Sequence, residues 1–154
     1  MIFMRPVALA FRISAKFGEW GALWNKIMEP NGKWVPKKRG ALGQHKGIDF
    51  ATPIGTEVFA MCDGAILKAG WENALDPKQG FGKRVRQLIY KEDGKAYQLV
   101  YAHLDNIYVK VGQNVKQGDI IGLTGNTGKT SGPHLHVEMI DENSQYVEIT
   151  FQNV

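Results

Sequence analysis

All four histidines of the chain fall in three short segments, and an aspartate lies near one of them. His45 precedes Asp49 by four positions, His103 stands in the segment YAHL, and His134 and His136 form a His-x-His pair. Imidazole nitrogens and a carboxylate oxygen are common zinc ligands. A catalytic zinc takes three protein ligands and keeps a fourth position for water. The number and types of these residues therefore predict a hydrolytic zinc site rather than a structural one.

The spacings bring these side chains together but leave the ligand set open. A separation of four residues puts His45 and Asp49 on one face of either a helix or a strand, and the β-branched Ile48 between them favours a strand. On a strand, the backbones of His134 and His136 lie roughly 7 Å apart on one face. Both imidazoles could bind one ion and close the site, or one could bind while the other handles protons beside it.

Two more residues border this predicted site. His103 also lies on a predicted strand and could close the other side of the site. Glu138 shares a face with His136. Glu138 could orient the His136 ring by accepting a hydrogen bond, or it could be an ordinary strand carboxylate that is exposed to solvent.

The rest of the sequence shows what must position the site. Short segments of alternating polarity are separated by glycines, which is typical of an all-β protein with tight turns. We predict strands at 7–13, 47–51, 57–61, 64–70, 83–90, 96–103, 107–109, 119–123, 134–140 and 145–150. Asp93-Gly94 predicts a hairpin, and alternation in LVYAHL places Leu99, Tyr101 and His103 on one face. A glycine and valine pattern that occurs twice suggests two similar β units. The predicted fold is a mainly antiparallel β-sandwich or duplicated hybrid barrel.

One segment departs from this alternation. Five apolar residues recur at helical spacing: Trp20, Leu23, Trp24, Ile27 and Met28. We therefore predict one short N-terminal helix over residues 19–29, whose tryptophans either line a substrate groove or pin the helix to the sheet. Residues 30–44 and 72–82 are predicted to be long loops that wall the site.

Size and composition narrow the class of protein. A chain of 154 residues suggests a single domain over 1–154. The net charge of +4 comes with no nucleic-acid motif and suits an anionic wall or membrane surface. The single cysteine, Cys62, excludes a disulfide framework and is interpreted as a small buried apolar residue. No segment is long and apolar enough to predict a membrane span, and the N-terminal segment is interpreted as a strand, not a signal peptide.

Three segments together carry a resemblance to a known family: HKGIDFATPIGTEVFA, YAHL and VKVGQNVKQGDIIGLTGNTGKTSGPHLHVEM. They resemble the lysostaphin/LytM-type zinc metallopeptidases that cut peptidoglycan cross-bridges, over about residues 43–140. The resemblance implies that His45, Asp49 and His136 hold zinc, and that His103 and His134 flank the reacting water and carbonyl. One departure is the sequence Gly80-Phe81-Gly82-Lys83, where the family often has Gly-Tyr-Gly-Asn.

These observations predict a monomeric zinc-dependent endopeptidase that hydrolyses peptide cross-links of bacterial peptidoglycan. Without a signal peptide, we expect synthesis in the cytoplasm and action on the cell wall after phage-type or other release, as for a phage lysin. One alternative is a catalytically inactive module of the same fold that binds the wall or a regulatory partner. Another is a lipoyl- or biotinyl-carrier hairpin with Lys116 near its turn, which leaves the histidines unexplained.

Overall fold

The structure is a computed structural model that describes residues 2–18, 26–28, 34–36 and 45–151. Within these residues the secondary structure consists of strands: β1 (Ile13–Ala15), β2 (Lys26–Met28), β3 (Trp34–Pro36), β4 (Ile48–Ala51), β5 (Glu57–Phe59), β6 (Gly64–Trp71), β7 (Lys83–Tyr90), β8 (Ala96–Ile107), β9 (Asn114–Val115), β10 (Ile120–Thr124), β11 (His134–Ile140) and β12 (Tyr146–Val147). The all-β prediction is confirmed for this part of the chain. No helix in it is both long and apolar enough to cross a membrane.

The main sheet places the histidine-bearing strands next to one another. Its order is β1-β4-β11-β8-β7-β6-β9, with β10 bridging β5 and β8 and with β12 paired to β11. Every pairing between these strands is antiparallel. The strands that carry Asp49, His136 and His103 are therefore consecutive neighbours, β4, β11 and β8.

The hairpin between β7 and β8 forms where the sequence predicts it. Tyr90 pairs with Ala96, and Gly94 adopts a φ of 77°, a left-handed conformation that glycine adopts at little cost. Asp93 accepts a hydrogen bond of 2.8 Å from the backbone N–H of Lys95 through Oδ1. Local turn chemistry thus fixes the register of the two longest neighbouring strands.

One face of the sheet covers the hydrophobic core. The largest fully buried side chains include Phe3, Phe50, Met61, Ile66, Ile89, Leu99, Leu104, Ile121, Leu135 and Met139. The polar residues Tyr101 and Gln87 lie among them and are hydrogen-bonded to each other, since the Tyr101 hydroxyl donates to Gln87 Oε1 at 2.8 Å. The same hydroxyl accepts from the backbone N–H of Met61 at 2.9 Å. Cys62 is buried and free, and burial, with a smaller effect of Asp63, raises its pKa to about 12.

The predicted helix at 19–29 is wrong for its last residues. Lys26–Met28 form strand β2, which pairs with Trp34–Pro36 inside the predicted loop 30–44. Isoleucine, valine and tryptophan favour strands, so local propensity competes here with the helical spacing of apolar residues. The remainder of that helix, including Trp20 and Trp24, and the remainder of the loop lie outside the described residues.

Two other predicted strands need correction, and one strand was missed. In the predicted strand 7–13, residues 8–11 form a turn closed by a hydrogen bond of 3.1 Å from Phe11 N–H to the Ala8 carbonyl, and the strand begins only at Ile13. The turn uses backbone groups that a strand would offer to the sheet. Strand β8 runs on to Ile107, so no separate strand forms at 107–109, and the short β9 at Asn114–Val115 was not predicted.

Candidate metal centre

Strands β4 and β11 bring His45, Asp49 and His136 together. The β4–β11 register sets His136 directly opposite Asp49, with His45 just before β4. Asp49 Oδ1 lies 2.7 Å from His136 Nδ1 and 3.2 Å from His45 Nε2. One ligand atom from each residue can be chosen so that all lie within 4.8 Å of one another. A single cation between them would contact two nitrogens and one oxygen.

Gly47 allows the two strands to approach closely at this point. A Cβ atom added there would overlap the Val137 carbonyl oxygen and would lie 3.0 Å from Cε1 of His136. A side chain at position 47 would therefore push β4 away from β11. Glycine at this position is needed for the Asp49–His136 contact.

The other ring nitrogens of the two histidines are held by acceptors. His45 Nδ1 donates to the Lys16 carbonyl oxygen at 3.0 Å, because a carbonyl can only accept. His136 Nε2 lies 2.8 Å from Oε1 of Glu138. These contacts orient both rings and direct Nε2 of His45 and Nδ1 of His136 toward Asp49, as outer partners do around metal-binding histidines.

Glu138 is a buried partner of His136, which settles the alternatives left open by the sequence. Its side chain is 3% exposed, so it is not a solvated strand carboxylate. Among the described residues its second oxygen, Oε2, has no hydrogen-bond partner. A buried carboxylate is stable as an anion only beside positive charge, so this one favours a cation at His136.

His134 lies beside the three-residue set. Its Nε2 is 3.7 Å from Asp49 Oδ1, and its Nδ1 donates to the Gly132 carbonyl at 2.8 Å. The hydroxyl of Thr130 is 3.2 Å from the same Nδ1. With Nδ1 carrying the proton in the neutral ring, Nε2 is a proton acceptor that faces the site.

His103 reaches the site through an unusual backbone conformation. We predicted from alternation that it shares a face with Leu99 and Tyr101, and that placement is wrong, because Tyr101 faces the core whereas the His103 ring lies beside His134. His103 has a φ of 61°, which shifts the phase of β8 by one residue, and its ring centroid lies 4.8 Å from that of His134. Its backbone N–H donates to the Phe81 carbonyl at 2.8 Å, and its carbonyl accepts from the Gly125 N–H at 2.9 Å.

The imidazole of His103 is also held in one tautomer. Nδ1 donates to the Thr127 carbonyl oxygen at 2.7 Å, which leaves Nε2 as an acceptor in the neutral ring. Burial, and after it the nearby charge of His134, lower the pKa of His103 to about 4. The His103 imidazole is therefore neutral over the whole pH range in which most proteins work.

The electrostatics of the other site residues favour a cation. Burial opposes ionisation of Asp49, but hydrogen bonds from His136 and His45 outweigh it and hold the pKa of Asp49 well below its usual range. Burial also opposes the charged form of His136, yet its hydrogen bonds to Asp49 and Glu138 raise its pKa to about 9. Two carboxylates thus share one imidazole, so the centre has an excess of negative charge that a divalent cation would neutralise.

Phe81 borders the site, although the sequence showed it only as part of a departure from the family motif. Its ring stacks near that of His136, with centroids 6.1 Å apart and planes inclined by 21°. A Cβ on Gly82 would overlap the backbone of Thr127 and Gly128, and one on Gly80 would overlap the Glu72 carboxylate. A bulky aromatic residue between two glycines was the signal available in the sequence. Through Phe81, the predicted wall 72–82 does border the site.

The donor set suits zinc. Two imidazole nitrogens and one carboxylate oxygen are a common catalytic zinc set, with ligand bonds of about 2.0–2.2 Å. The contacts of 2.7 and 3.2 Å to Asp49 are close to the separations of such ligands around one ion. The acceptor nitrogens of His103 and His134 lie next to this set, where proton transfer to and from a substrate is feasible.

Comparisons with known proteins agree with this geometry. The model of "Peptidase family M23" matches residues 43–149. Peptidoglycan DD-endopeptidase ShyA of Vibrio cholerae is 42% identical over 135 residues, which cover 88% of this chain and 26% of ShyA. The chain spans less than a third of the length of the first curated relatives that it matches.

Two solved structures share the fold. A zinc-containing peptidase from Vibrio cholerae superposes with a TM-score of 0.69 at 32% identity, over 100% of this chain and 41% of that one. The catalytic domain of the antimicrobial peptidase lysostaphin from Staphylococcus simulans superposes with a TM-score of 0.65 at 30% identity, over 90% of this chain and 89% of that one.

Proposed function

Since the chain belongs to peptidase family M23, which matches it over residues 43–149, we propose that it is a zinc-dependent endopeptidase that hydrolyses peptide cross-links of bacterial peptidoglycan. Membership in this family confirms the resemblance to lysostaphin-type peptidases. ShyA is named a peptidoglycan DD-endopeptidase, and one solved relative is described as containing zinc. The chain covers only 26% of ShyA, so the proposal rests mainly on the residues of its own site.

One observation carries the proposal. The three donors His45, Asp49 and His136 converge, while two further histidines present acceptor nitrogens beside them. A structural zinc site would use a fourth protein ligand and would need no neutral imidazoles next to it. A set of three donors with two proton acceptors is what hydrolysis requires.

The residues of the chain divide the chemistry between them. Zinc bound by the three donors would act as a Lewis acid that activates water and polarises the scissile carbonyl. His103, which is neutral and keeps Nε2 as an acceptor, is suited to take up the proton of the attacking water. His134, whose Nε2 faces the site beside the three donors, is placed to stabilise the developing oxyanion or to pass a proton to the leaving amine.

Zymography on purified peptidoglycan tests the proposal directly. We expect the zinc-loaded protein to clear the substrate, a chelator to abolish clearing, and added zinc to restore it. The His136→Ala variant, which lacks a donor, is the matched negative control. Mass spectrometry of the soluble products identifies the bond that is cut. Clearing that survives chelation, or binding to peptidoglycan without any clearing, would contradict the proposal, and the latter result would favour the inactive wall-binding alternative.

A further inference from the structure

Arg86 lies on the same face of the sheet as the candidate metal centre. It pairs with Val100 of β8, which pairs in turn with Glu138 of β11. Residues directly opposite one another on neighbouring strands share a face, and Glu138 contacts His136 on that face. Lys68 of β6, opposite Arg86, extends the same row and is exposed.

Phe81 connects Arg86 to the centre. The guanidinium carbon of Arg86 lies 6.0 Å from the centroid of the Phe81 ring, which itself is 6.1 Å from that of His136. The two steps together span at most about 12 Å, which an extended peptide covers in about four residues at roughly 3.3 Å each. Arg86 Nη1 also donates to Gln98 Oε1 at 3.3 Å, which helps to hold the side chain over the sheet.

The positive charge of Arg86 has no ion-pair partner among the described residues. The two carboxylates that share its face, Asp49 and Glu138, are both engaged by histidines. Glu72, on the loop before Phe81, accepts a hydrogen bond from the Phe81 backbone N–H.

A second guanidinium nearby strengthens the positive potential. Arg84 donates through Nη1 to the carbonyl oxygens of Gly70 and Trp71, each at 3.0 Å, which holds its guanidinium at the end of β6. Burial, and after it the proximity of Arg86, lower the pKa of Arg84, because the two like charges repel. Arg86 is the one of the two whose guanidinium lies by the Phe81 ring next to the centre, so it is the one placed to bind a ligand there.

We propose that Arg86 binds a carboxylate group of the substrate peptide within about four residues of the bond that is hydrolysed. A guanidinium matches a carboxylate through two parallel hydrogen bonds, which makes arginine suited to this recognition. The inference rests on the proposed function and narrows its substrate to peptides that are anionic near the scissile bond. A cross-link through a diamino acid that has two carboxyl groups meets this requirement because one carboxylate stays free, whereas a bridge of glycines offers none within itself.

A matched pair of substrates tests the inference. Two synthetic cross-linked peptides that differ only in a free carboxylate or a carboxamide on the diamino acid are compared by kcat/KM with the zinc-loaded protein. We expect the wild type to prefer the carboxylate about tenfold or more. The preference should approach one in Arg86→Gln and be partly kept in Arg86→Lys, which retains the charge. A wild type without preference, or an Arg86→Gln variant with the preference intact, would overturn the inference.

The control and a second readout separate this inference from the proposed function. Lys110→Gln removes one exposed positive charge beyond β8 and should leave the preference unchanged. Calorimetric binding of the two amine products, one with the carboxylate and one with the carboxamide, needs no turnover. If neither cross-link is cleaved but the carboxylate product binds more tightly through Arg86, the proposed function fails while the recognition of a carboxylate by Arg86 is retained. Cleavage of both cross-links at equal rates overturns this inference alone.

Discussion

His136 Nε2 and Glu138 Oε1 lie 2.8 Å apart in the interior of the sheet, two residues along the same strand. The contact links an imidazole that reaches Asp49 with a carboxylate that is otherwise shielded from water. Such an outer partner fixes the orientation of a metal-binding ring and raises its basicity.

Replacing this carboxylate should weaken zinc binding. Glu138→Gln keeps an oxygen that can accept from His136 but removes the charge, so we expect the zinc affinity to fall about 10- to 100-fold. Competition with a chromophoric chelator measures the affinity without any assay of activity. Glu57→Gln, on the exposed edge position of β5, is the control and should bind zinc like the wild type. Equal affinities in all three proteins would assign Glu138 no role at the metal.

The two histidines of the His-x-His pair should behave differently. His136→Ala removes a donor of the converging set, so the purified protein should lose its zinc. His134→Ala should retain zinc but lose about 10²- to 10⁴-fold in turnover, the usual contribution of a proton-transferring group. Zinc content by atomic absorption and clearing of peptidoglycan are measured on the same samples. Zinc loss of equal extent in both variants would mean that His134 is also a ligand.

Because the backbone of His103 is left-handed, its glycine variant should be more stable than its alanine variant. Glycine adopts a positive φ without the Cβ penalty, so His103→Gly should be more stable than His103→Ala by about 1 kcal/mol. At the neighbouring Ala102, which lacks a positive φ, Ala102→Gly should instead destabilise the protein. Urea unfolding followed by fluorescence gives both differences. A His103→Gly variant less stable than His103→Ala would exclude backbone strain at this residue.

Gly47 should not tolerate a side chain. Gly47→Ala forces β4 away from β11, and we expect a loss of at least about 2 kcal/mol in the free energy of unfolding together with weaker zinc binding. Gly132→Ala is the matched control, because a Cβ there meets no atom within 4 Å and its φ is not positive. Thermal unfolding in the presence of a chelator isolates the packing effect. Similar melting temperatures for the two variants would argue against tight contact at position 47.

The loss of activity at low pH should result from the release of zinc rather than from protonation of His103. With a pKa lowered to about 4, His103 takes up its proton only below that value and still accepts protons at pH 5. Metal ligands must lose their protons to bind zinc, and the pKa of the His136 ligand is raised to about 9, so protons compete with zinc there and activity and zinc content should fall together as the pH is lowered. Both are measured across pH 4.5 to 8, and a tenfold excess of zinc should move both midpoints to lower pH. Activity lost while zinc stays bound would point to another titrating group.

The sequence predicted the site more closely than it predicted the path of the chain. The spacings of His45, Asp49 and the His-x-His pair are local, and local spacing decides which side chains share a strand face. The choice between His134 and His136 could not be made from spacing, because it depends on the register in which β11 meets β4. Only the tertiary pairing puts His136, and not His134, opposite Asp49.

Two structural features could not be predicted from the periodicity of the sequence. The φ of 61° at His103 breaks the alternation that would turn its ring into the core, and its backbone partners, Phe81 and Gly125, come from separate loops. The strand at Lys26–Met28 is fixed by its partner β3 and not by its own apolar spacing. In both cases contacts between segments distant in sequence outweigh the local pattern.

The pairing of β4 with β11 has a consequence for how the chain folds. Asp49 and His136 are 87 positions apart, so their contact closes a much longer loop than the β7–β8 hairpin does. Contacts of high sequence separation form late because loop closure is entropically unfavourable. An unfolded chain offers only fragments of the donor set, so zinc would bind the native state preferentially and shift the folding equilibrium by mass action. Bound zinc would thus stabilise the contact between the early part of the family-matched region, which holds His45 and Asp49, and its late part, which holds His136, after the sheet has assembled.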